Sequence, residues 1–474
     1  MAKSCSSIGS SRVQQVFVEI ENVTGILQRP TISGYVLPAG RATMNQVPGY
    51  TNSEELTGTL DVIDQFKNAV GAGEAAIPMV VRIPSDGSKM QGAALFEAGL
   101  GSVQNPGITT ADIADGKDID ADDTTITISS IAGGKFPRRG VVMIESEKIA
   151  YRDVTYTGGV ITGLTGCVRG FAGTAAAPHA DGLTLTLMSR VYMQANCRPT
   201  VSIWVKDDHT VRFASGGVVT QIAVPQSKEG GQHCDFTLQF RRMGWCGRSF
   251  LGSVPSTGTL SVVDENGKNA ADAYSVGGIV KNTTKNDDNS GVGYTISAVD
   301  NANGTITVTP MPSGWSADDQ IDPWLPDAAP IGDPLESAST RVFIGGVAGK
   351  LLEGSITLST PTSFASEIGD EYPGENADGT RELSMDNSLY FRAKDAVEFA
   401  RGYDGYDLPV NVVLGNKAGK TLTLVMPRVK FAMPSVEEND TFVTLKRTGT
   451  RKAMTALCWC RSSGNAQDTH RHIP

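Results

Sequence analysis

The sequence contains no long hydrophobic run. No stretch of its 474 residues approaches the roughly 18 apolar residues that a membrane-spanning helix needs. The opening residues, MAKSCSSIGSS, also lack the apolar segment of a secretory signal peptide. We therefore expect a chain that folds in the cytoplasm and has no membrane among its partners.

The cysteines do not form a disulfide framework. They number seven, an odd count without framework spacing, which favours free thiols. A metal site made of His233, Cys234 and Cys246 is the alternative, but its spacing matches no familiar ligand pattern. We predict no metal, no cofactor and no cofactor-binding residues.

Motifs of catalysis are missing as well. The chain has no G-x-S-x-G elbow, H-E-x-x-H helix, Walker loop or dinucleotide fingerprint. The histidines are interpreted without catalysis: His470 and His472 in a polar tail, His209 in a turn after Asp207-Asp208, and His179 as a structural hydrogen-bonding residue. Runs such as Asp287-Asp288-Asn289 do not fit an EF-hand loop and are interpreted as β-turns. We predict that the protein is not an enzyme and has no catalytic residues.

Basic residues are in the minority. Lys and Arg total 41 against 51 Asp and Glu, which gives a net charge of −10 at pH 7 and a pI of about 5.1. A dedicated binder of double-stranded nucleic acid is expected to carry a basic face. The balance argues against tight contact with DNA phosphates, although it is compatible with DNA that passes nearby.

Glycine and alternating apolar residues are abundant instead. There are 53 glycines, and hydrophobic residues make up 40% of a chain that is 19% charged, a globular composition. Near the start, Val16, Val18 and Ile20 alternate with other residues, as in a half-buried strand. The fold class predicted from these patterns is mostly β, with many short strands joined by tight turns.

Parts of the sequence recur at an offset of roughly 327 residues. Glu55-Leu56 recurs as Glu382-Leu383, and the run 67–70 (KNAV) recurs as 394–397 (KDAV). With small shifts, Val16-Phe17 matches Val342-Phe343, Pro48-Gly49 matches Pro373-Gly374, and 77–81 matches 408–413. These matches keep the same order, which indicates one domain used twice.

Each copy is predicted to run strand, strand, long loop, strand, helix, strand. In the first copy the helix is placed around Ile63 to Val70, with Ile63, Phe66 and Val70 on one face. In the second copy Ala393, Val397 and Ala400 share a helical face. Long loops at 37–53 and 361–379 are predicted at equivalent places, which favours a shared role in contacting a neighbouring domain or ring over mobile surface loops.

Two β-rich segments interrupt the repeat. We assign a first domain to 1–106 with 190–251, an inserted module to 107–189, a second insert or linker to 252–340 and a second domain to 341–474.

The first insert carries the pattern F-P-x-x-G, then E-x-I-x-Y, then L-T-G-x-x-R-G-x-x-G-T-x-A-A-x-H-x-x-G. In this sequence its residues are Phe136, Pro137, Gly140, Glu147, Ile149, Tyr151, Leu164, Thr165, Gly166, Arg169, Gly170, Gly173, Thr174, Ala175, Ala176, His179 and Gly182. Over about 50 residues this resembles a small β module of structural proteins in tailed bacteriophages. The chain departs from the family pattern at Ser146, where Gly is frequent, and has Pro178 as an extra residue before His179.

The repeated core is similar to the tail tube proteins of long-tailed, non-contractile phages. This resemblance implies two β-sandwich or barrel domains, each with one short helix, in a structural virion protein. It implies rings of three chains, each supplying two of six similar domains, that stack into the tube through which DNA is delivered. The implied partners are further copies of the chain and the tail terminator, tape measure and tail-tip proteins, with DNA passing through the lumen without specific binding. The implied location is the virion tail, assembled in the host cytoplasm.

A second hypothesis remains open at this point. The insert motif suits a tail-tip, baseplate or fibre protein that binds a host-surface glycan equally well. The internal repeat favours the tube subunit.

Overall fold

The computed structural model describes residues 13–55, 64–84, 89–104, 110–132, 140–170, 174–187, 190–253, 258–345, 347–349, 351–392, 396–417, 420–439, 442–451 and 455–458. The protein is mostly β, as predicted, and the described residues contain two α-helices of eight residues each. Neither helix has the length to cross a membrane.

The first part of domain 1 supplies eight strands and a helix. These are β1 (Gln14–Ile20), β2 (Tyr35–Val36), β3 (Thr43–Asn45), β4 (Pro48–Asn52), β5 (Gln65–Val70), β6 (Gly73–Val80), β7 (Arg82–Ile83), α1 (Ala93–Leu100) and β8 (Gly101–Gln104). The helix ends at Gly101, whose φ of +106° suits glycine.

The insert module lies at the tip of a β-hairpin of domain 1. Its strands are β9 (Thr110–Asp112), β10 (Thr125–Ala132), β11 (Gly140–Ile144), β12 (Glu147–Tyr151), β13 (Asp153–Thr157), β14 (Val160–Thr165) and β15 (Thr184–Leu187). They form a three-stranded and a four-stranded sheet around a hydrophobic core whose members all lie between Ala111 and Leu187. The module therefore has a core of its own.

Domain 1 resumes with β16 (Arg190–Gln194), β17 (Val201–Asp207), β18 (Thr210–Gln226), β19 (His233–Phe240) and β20 (Arg242–Cys246). A closed barrel follows, built from β21 (Ser249–Leu251), β22 (Thr259–Val263), β23 (Ile279–Asn282), β24 (Tyr294–Asp300), β25 (Thr305–Thr309) and β26 (Gln320–Pro323). The barrel starts at Ser249, so the boundary placed at 251/252 falls at the end of its first strand. Its core is continuous with Trp204 and Phe213 of domain 1, so the barrel packs against that domain.

Domain 2 is entered through β27 (Asp333–Pro334), which pairs with β7. Its elements are β28 (Arg341–Ile344), β29 (Val347–Gly349), β30 (Leu351–Ser359), β31 (Thr362–Phe364), β32 (Asn376–Asp378), β33 (Glu382–Tyr390), α2 (Val397–Asp404), β34 (Asp407–Lys417), β35 (Lys420–Phe431), β36 (Ser435–Asn439), β37 (Phe442–Arg451) and β38 (Thr455–Cys458).

The two domains share one strand-pairing scheme. In domain 1, β1 pairs with β2 and β17, β17 with β18, β18 with β19 and β20, β19 with β6, and β6 with β3. In domain 2, β28 pairs with β29 and β34, β34 with β35, β35 with β38, β36 with β37, β37 with β33, and β33 with β30. Strands β35 and β36 together take the place of β18. The helix follows β6 in one domain and β33 in the other. The duplication is therefore a property of the fold.

Several of the sequence matches nevertheless joined the wrong elements. Residues 67–70 lie in strand β5, so the helix predicted at Ile63 to Val70 is wrong where it is described, and 56–63 lie outside the described residues. The match of 77–81 to 408–413 paired β6 with β34, although the fold equates β6 with β33. The real helix α1 was missed because Leu95, Phe96, Ala98 and Leu100 are all buried, which leaves no amphipathic period to detect. The second predicted helix is confirmed as α2, although Ala393 itself lies outside the described residues.

Eight antiparallel strands of both domains form one sheet, here called the main sheet, in the order β3-β6-β19-β18-β30-β33-β37-β36. The remaining strands of each domain cover one side of it, and a single hydrophobic core that contains side chains of both domains fills the space between. The opposite side of the main sheet is its polar face.

The position of the insert module generates the first prediction. Strands β8 and β16 pair directly, with Gln104 opposite Val191, so the chain leaves and re-enters domain 1 at adjacent points. Replacing residues 107–189 with an Asn-Gly turn should therefore leave the hairpin closed and the remaining fold intact. Circular dichroism and the urea midpoint of the shortened chain check this. Loss of the cooperative transition would show that the module is part of the structural core.

Candidate assembly interface

Strand β18 belongs to two sheets at once. Residues 211–215 pair with β20, whereas residues 218–223 pair with β19 on the main sheet. The change of direction falls at Gly216, with φ of +67°, and Gly217, where an added Cβ would lie 2.7 Å from the carbonyl oxygen of Val201. Glycine at both positions lets the strand bend without a clash.

The second half of β18 joins the two domains, and we call this junction the seam. Residues 221–226 pair antiparallel with residues 354–359 of β30. Ile222 lies opposite Leu358 and Val224 opposite Ile356, and all four side chains are buried in the common core. The seam is therefore a continuous ladder of backbone pairs, and the side chains on its core-facing side are apolar.

A buried ion pair holds one end of the seam. The Arg198 side chain of domain 1 is 1% exposed, and its Nε and Nη2 donate to the two carboxylate oxygens of Asp378 in domain 2 at 2.7 and 2.5 Å. Burial by itself raises the pKa of Asp378, but the hydrogen bond and charge of Arg198 outweigh it and lower the pKa. This bidentate geometry fixes the orientation of the two domains as well as their contact.

A second set of contacts joins domain 1 to the long loop of domain 2. The β4–β5 hairpin of domain 1 contacts the loop of domain 2: Lys67 Nζ lies 2.6 Å from Glu371 Oε1, and the Val70 amide donates to the Glu371 carbonyl at 2.8 Å. The Arg242 guanidinium lies over the Tyr372 ring at 5.1 Å. Of the two loops predicted to reach a neighbouring domain, 361–379 does contact domain 1. The prediction of a loop at 37–53 is wrong in part, because this range contains β3 and β4, and the counterpart of 361–379 is the region between β3 and β6.

The polar face of the main sheet is acidic. Its carboxylates are Glu74, Asp235, Glu353, Glu382, Asp386 and Glu437. Among the described side chains that share this face, Lys446 is the only lysine or arginine, and the rest are mainly Ser, Thr and Gln. Such a face repels a polyanion rather than binding it.

The main sheet has an edge strand at each end. Strand β3 pairs with β6 on one side, and β36 pairs with β37 on one side; within the described residues neither has a strand on its other side. Exposed sheet edges are templates for pairing with another chain. These two edges are equivalent to the two strands of the seam, because β3 corresponds to β30 and β36 to the second half of β18.

The residues weighed as a metal site do not converge. Cys234 lies in the common core of the two domains, and Cys246 lies in the core of the barrel. No group of three or more His, Cys, Asp or Glu side chains that could hold a metal occurs among the described residues. His209 lies in the turn between β17 and β18, as predicted, whereas His470 and His472 lie outside the described part of the chain.

The phage-type motif forms a buried polar network in the insert module. Glu147 is 1% exposed, and its carboxylate accepts hydrogen bonds from Arg169 Nη2 at 2.8 Å and from the amides of Gly170 and Ala177 at 2.7 and 3.1 Å. The Nε2 atom of His179, buried as well, lies 2.7 Å from the same carboxylate. The motif therefore positions a loop against β12. Phe136, Pro137 and Gly173 lie outside the described residues.

No protein-family model matches the chain, and no curated protein matches it either.

Sequence reasoning missed the seam residues. Arg198 and Asp378 are 180 positions apart and belong to no motif. The one usable signal was the long loop predicted at 361–379, which contains Asp378 and Glu371. Glu147 was noted only as a motif position, although it anchors the network in which His179 takes part.

Acid should weaken the insert module through Glu147. Burial alone raises the pKa of this carboxyl, but the bonds from Arg169, Gly170 and Ala177 outweigh it and lower the pKa from 4.5 to about 2. A carboxyl whose pKa is lower in the folded state stabilises the fold fully above its unfolded pKa, and this contribution is lost as the pH falls through the folded pKa. Hydrogen exchange of β11 and β12 amides should show local stability falling between pH 4.5 and about 2.

Two variants separate this effect from general acid sensitivity. Glu147→Gln leaves Arg169 buried without its charge partner and should cost about 3 kcal/mol at pH 7, with a weaker decline in acid. Glu145→Gln is the matched control, because Glu145 also contacts His179 but is largely exposed, and it should cost under about 1 kcal/mol. Equal acid profiles for the wild type and Glu147→Gln would contradict the assignment.

The Arg198–Asp378 pair should contribute strongly to the stability of the two-domain unit. Asp378→Ala leaves the buried guanidinium without its carboxylate and should lower the free energy of unfolding by about 3 kcal/mol. Asp407→Ala removes the partner of Arg428 in an exposed pair and should cost under about 1 kcal/mol. Urea unfolding compares the two, and similar midpoints would show that the pair does not hold the seam.

Proposed function

We propose that the protein is a structural subunit that polymerises as stacked rings into a phage tail tube, with three chains supplying six similar domains per ring. The observation that carries the proposal is the seam. One domain–domain junction is formed within the chain, and within the described residues both strand edges needed to form the same junction between chains lack a strand partner.

The internal seam predicts the register of the junction between chains. In the shared pairing scheme, the Val81 amide donates to the Gln232 carbonyl and the Phe391 amide to the Val443 carbonyl, both at 2.9 Å, so Val81 corresponds to Phe391 and Gln232 to Val443. From these positions, the strand pairings align residues 43–45 of domain 1 with residues 355–357 of domain 2, and residues 223–225 with residues 435–437. Asn45 of one copy is thus expected opposite Ser435 of the next, and Met44 opposite Val436.

The apolar positions support this register. Val224 and Ile356, which face each other across the internal seam, are 2% and 1% exposed. Of their counterparts, Met44 is already buried at 2%, whereas Val436 remains 48% exposed. A second copy placed on the edge of β36 would bury the Val436 side chain as the seam buries Val224.

The main sheet also bears on how the ring closes and on the charge of its lumen. Three copies joined edge to edge would close about 24 strands, and closure removes the exposed edges. We place the acidic polar face toward the lumen, where its carboxylates would keep passing DNA from adhering. Copies of the chain are then the main partners, with terminator, tape measure and tail-tip proteins at the ends of the tube in the phage tail.

Disulfide trapping tests both the polymer and its register. With Asn45→Cys and Ser435→Cys in one chain and Cys197→Ser as background, directly opposed positions should form a disulfide between chains. Non-reducing gels should show covalent dimers and trimers, and negative-stain microscopy should show tubes of constant bore.

The matched control is Asn45→Cys with Val436→Cys. Position 436 faces the opposite side of the sheet from position 435, so no disulfide is expected although the two positions differ by only one residue. Discrete particles under every salt and protein concentration, together with glycan binding, would favour a tail-tip or fibre protein and contradict the tube.

A further inference from the structure

The outer edge of β3 is engaged by side chains of its own domain. Gln14 contacts Ala42 twice: its Nε2 donates to the Ala42 carbonyl at 3.0 Å, and its Oε1 accepts from the Ala42 amide at 2.8 Å. The Arg212 Nη1 atom donates to the Met44 carbonyl at 2.6 Å. These bonds therefore engage both backbone groups of Ala42 and the carbonyl of Met44.

Asp207 holds the two side chains in place. Its Oδ1 accepts from Gln14 Nε2 at 2.8 Å, and its Oδ2 accepts from Arg212 Nη2 at 2.5 Å. The Asp207 side chain is 23% exposed and that of Arg212 is 28% exposed, so the ion pair is partly shielded from water. Charge-assisted hydrogen bonds of this kind are stronger than bonds between neutral groups. We call Gln14, Asp207 and Arg212 the edge cap.

The backbone groups that the edge cap engages are those that face away from β6. Successive residues of a strand direct their backbone groups to opposite sides. The Ala39 amide donates to the Pro78 carbonyl, so the even-numbered residues of β6 direct their groups toward β3. Opposite them in β3 lie odd-numbered residues. Ala42 and Met44 therefore face outward, and a strand added to this edge would bond to their groups.

The three equivalent residues of domain 2 have a different chemistry. Starting from the matched pair Val16 and Val342, the strand registers equate Gln14 with Thr340, Asp207 with Leu414 and Arg212 with Leu424. Both leucines are buried in the common core, and the Thr340 hydroxyl donates to Gln232. In domain 2 the equivalent edge, that of β30, pairs with β18 instead. The polar cap thus lies on the edge without a described strand partner, and apolar residues take its place where the ladder forms.

We propose that the edge cap competes with the junction between chains, so that Gln14 and Arg212 must leave the β3 edge before β36 of another copy pairs with it. The Ala42 amide has one hydrogen to donate, and Gln14 and an added strand cannot both receive it. The edge cap thereby protects an edge strand of the unassembled chain and raises the protein concentration at which rings form. The proposal rests on the proposed ring, because in that ring β36 is the strand that reaches this edge.

Substitution by the residues of domain 2 tests the proposal. Gln14→Thr, Arg212→Leu and the double variant are compared with the wild type as full chains, by light scattering and negative-stain microscopy over a dilution series. The critical concentration for tubes should fall at least about tenfold in the double variant, because bonds that include a charged group are lost from the free chain alone. Lys117→Leu removes the same charge from an exposed site on the insert module and should leave the critical concentration unchanged.

The outcomes separate this proposal from the proposed function. A lower critical concentration for the double variant, with Lys117→Leu at the wild-type value, supports both. An unchanged or higher value for the double variant, or an equal fall in Lys117→Leu, overturns the role of the edge cap and leaves the tube in place. Failure of the wild type and all variants to form rings overturns the proposed function and this proposal with it.

If the variants lose their cooperative urea transition, the wild-type tube decides. Electron cryomicroscopy should then show β36 of a neighbouring copy bonded to Ala42 and Met44, with the Gln14 side chain displaced. A tube in which Gln14 still bonds the Ala42 amide overturns the proposal.

Discussion

The rest of the structure depends on the ladder between β18 and β30. Because β18 bends at Gly216 and Gly217, one half of the strand completes the outer sheet of domain 1 and the other half receives domain 2. The backbone groups of an edge strand are thereby satisfied by a second domain, and the apolar side chains beneath them become one core. Without this ladder, each domain would expose a sheet edge and the apolar side chains beneath it.

The two domains keep the same scheme with different chemistry. In domain 1 the helix packs Phe96 against Phe236 of β19, with ring centroids 5.0 Å apart. In domain 2 the corresponding contact is ionic: Arg447 of β37 donates to Glu398 of α2 at 2.9 Å and to Asn387 at 3.1 Å. Both domains keep the strand pairing because it fixes the domain shape. The helix contact tolerates exchange, since either an apolar cluster or a hydrogen-bonded polar cluster fills the space.

Sequence patterns were sufficient for the fold class, for α2 and for many strands, because alternation over exposed and buried faces is a local property. They failed at α1, whose faces are nearly all apolar. They also failed at 67–70, which lie in a strand although Ala396 and Val397, the counterparts of Ala69 and Val70 in the sequence match, begin a helix. Sequence patterns did not predict the seam. Arg198 and Asp378 form a pair only because the fold brings together residues that are far apart in the chain, and no rule of sequence spacing predicts such a pair.

Covalent duplication changes how the proposed ring would form. A ring of six separate domains needs six junctions between chains, whereas in a ring of three double domains half of the six junctions are formed within a chain. A linked junction forms at the high effective concentration set by its tether, so it does not carry the full entropy cost of association. The internal seam can then be held by contacts unsuited to a reversible interface, such as the buried Arg198–Asp378 pair. The proposed junction between chains would keep the backbone ladder, which is the part of the seam that both edges of the main sheet can reproduce.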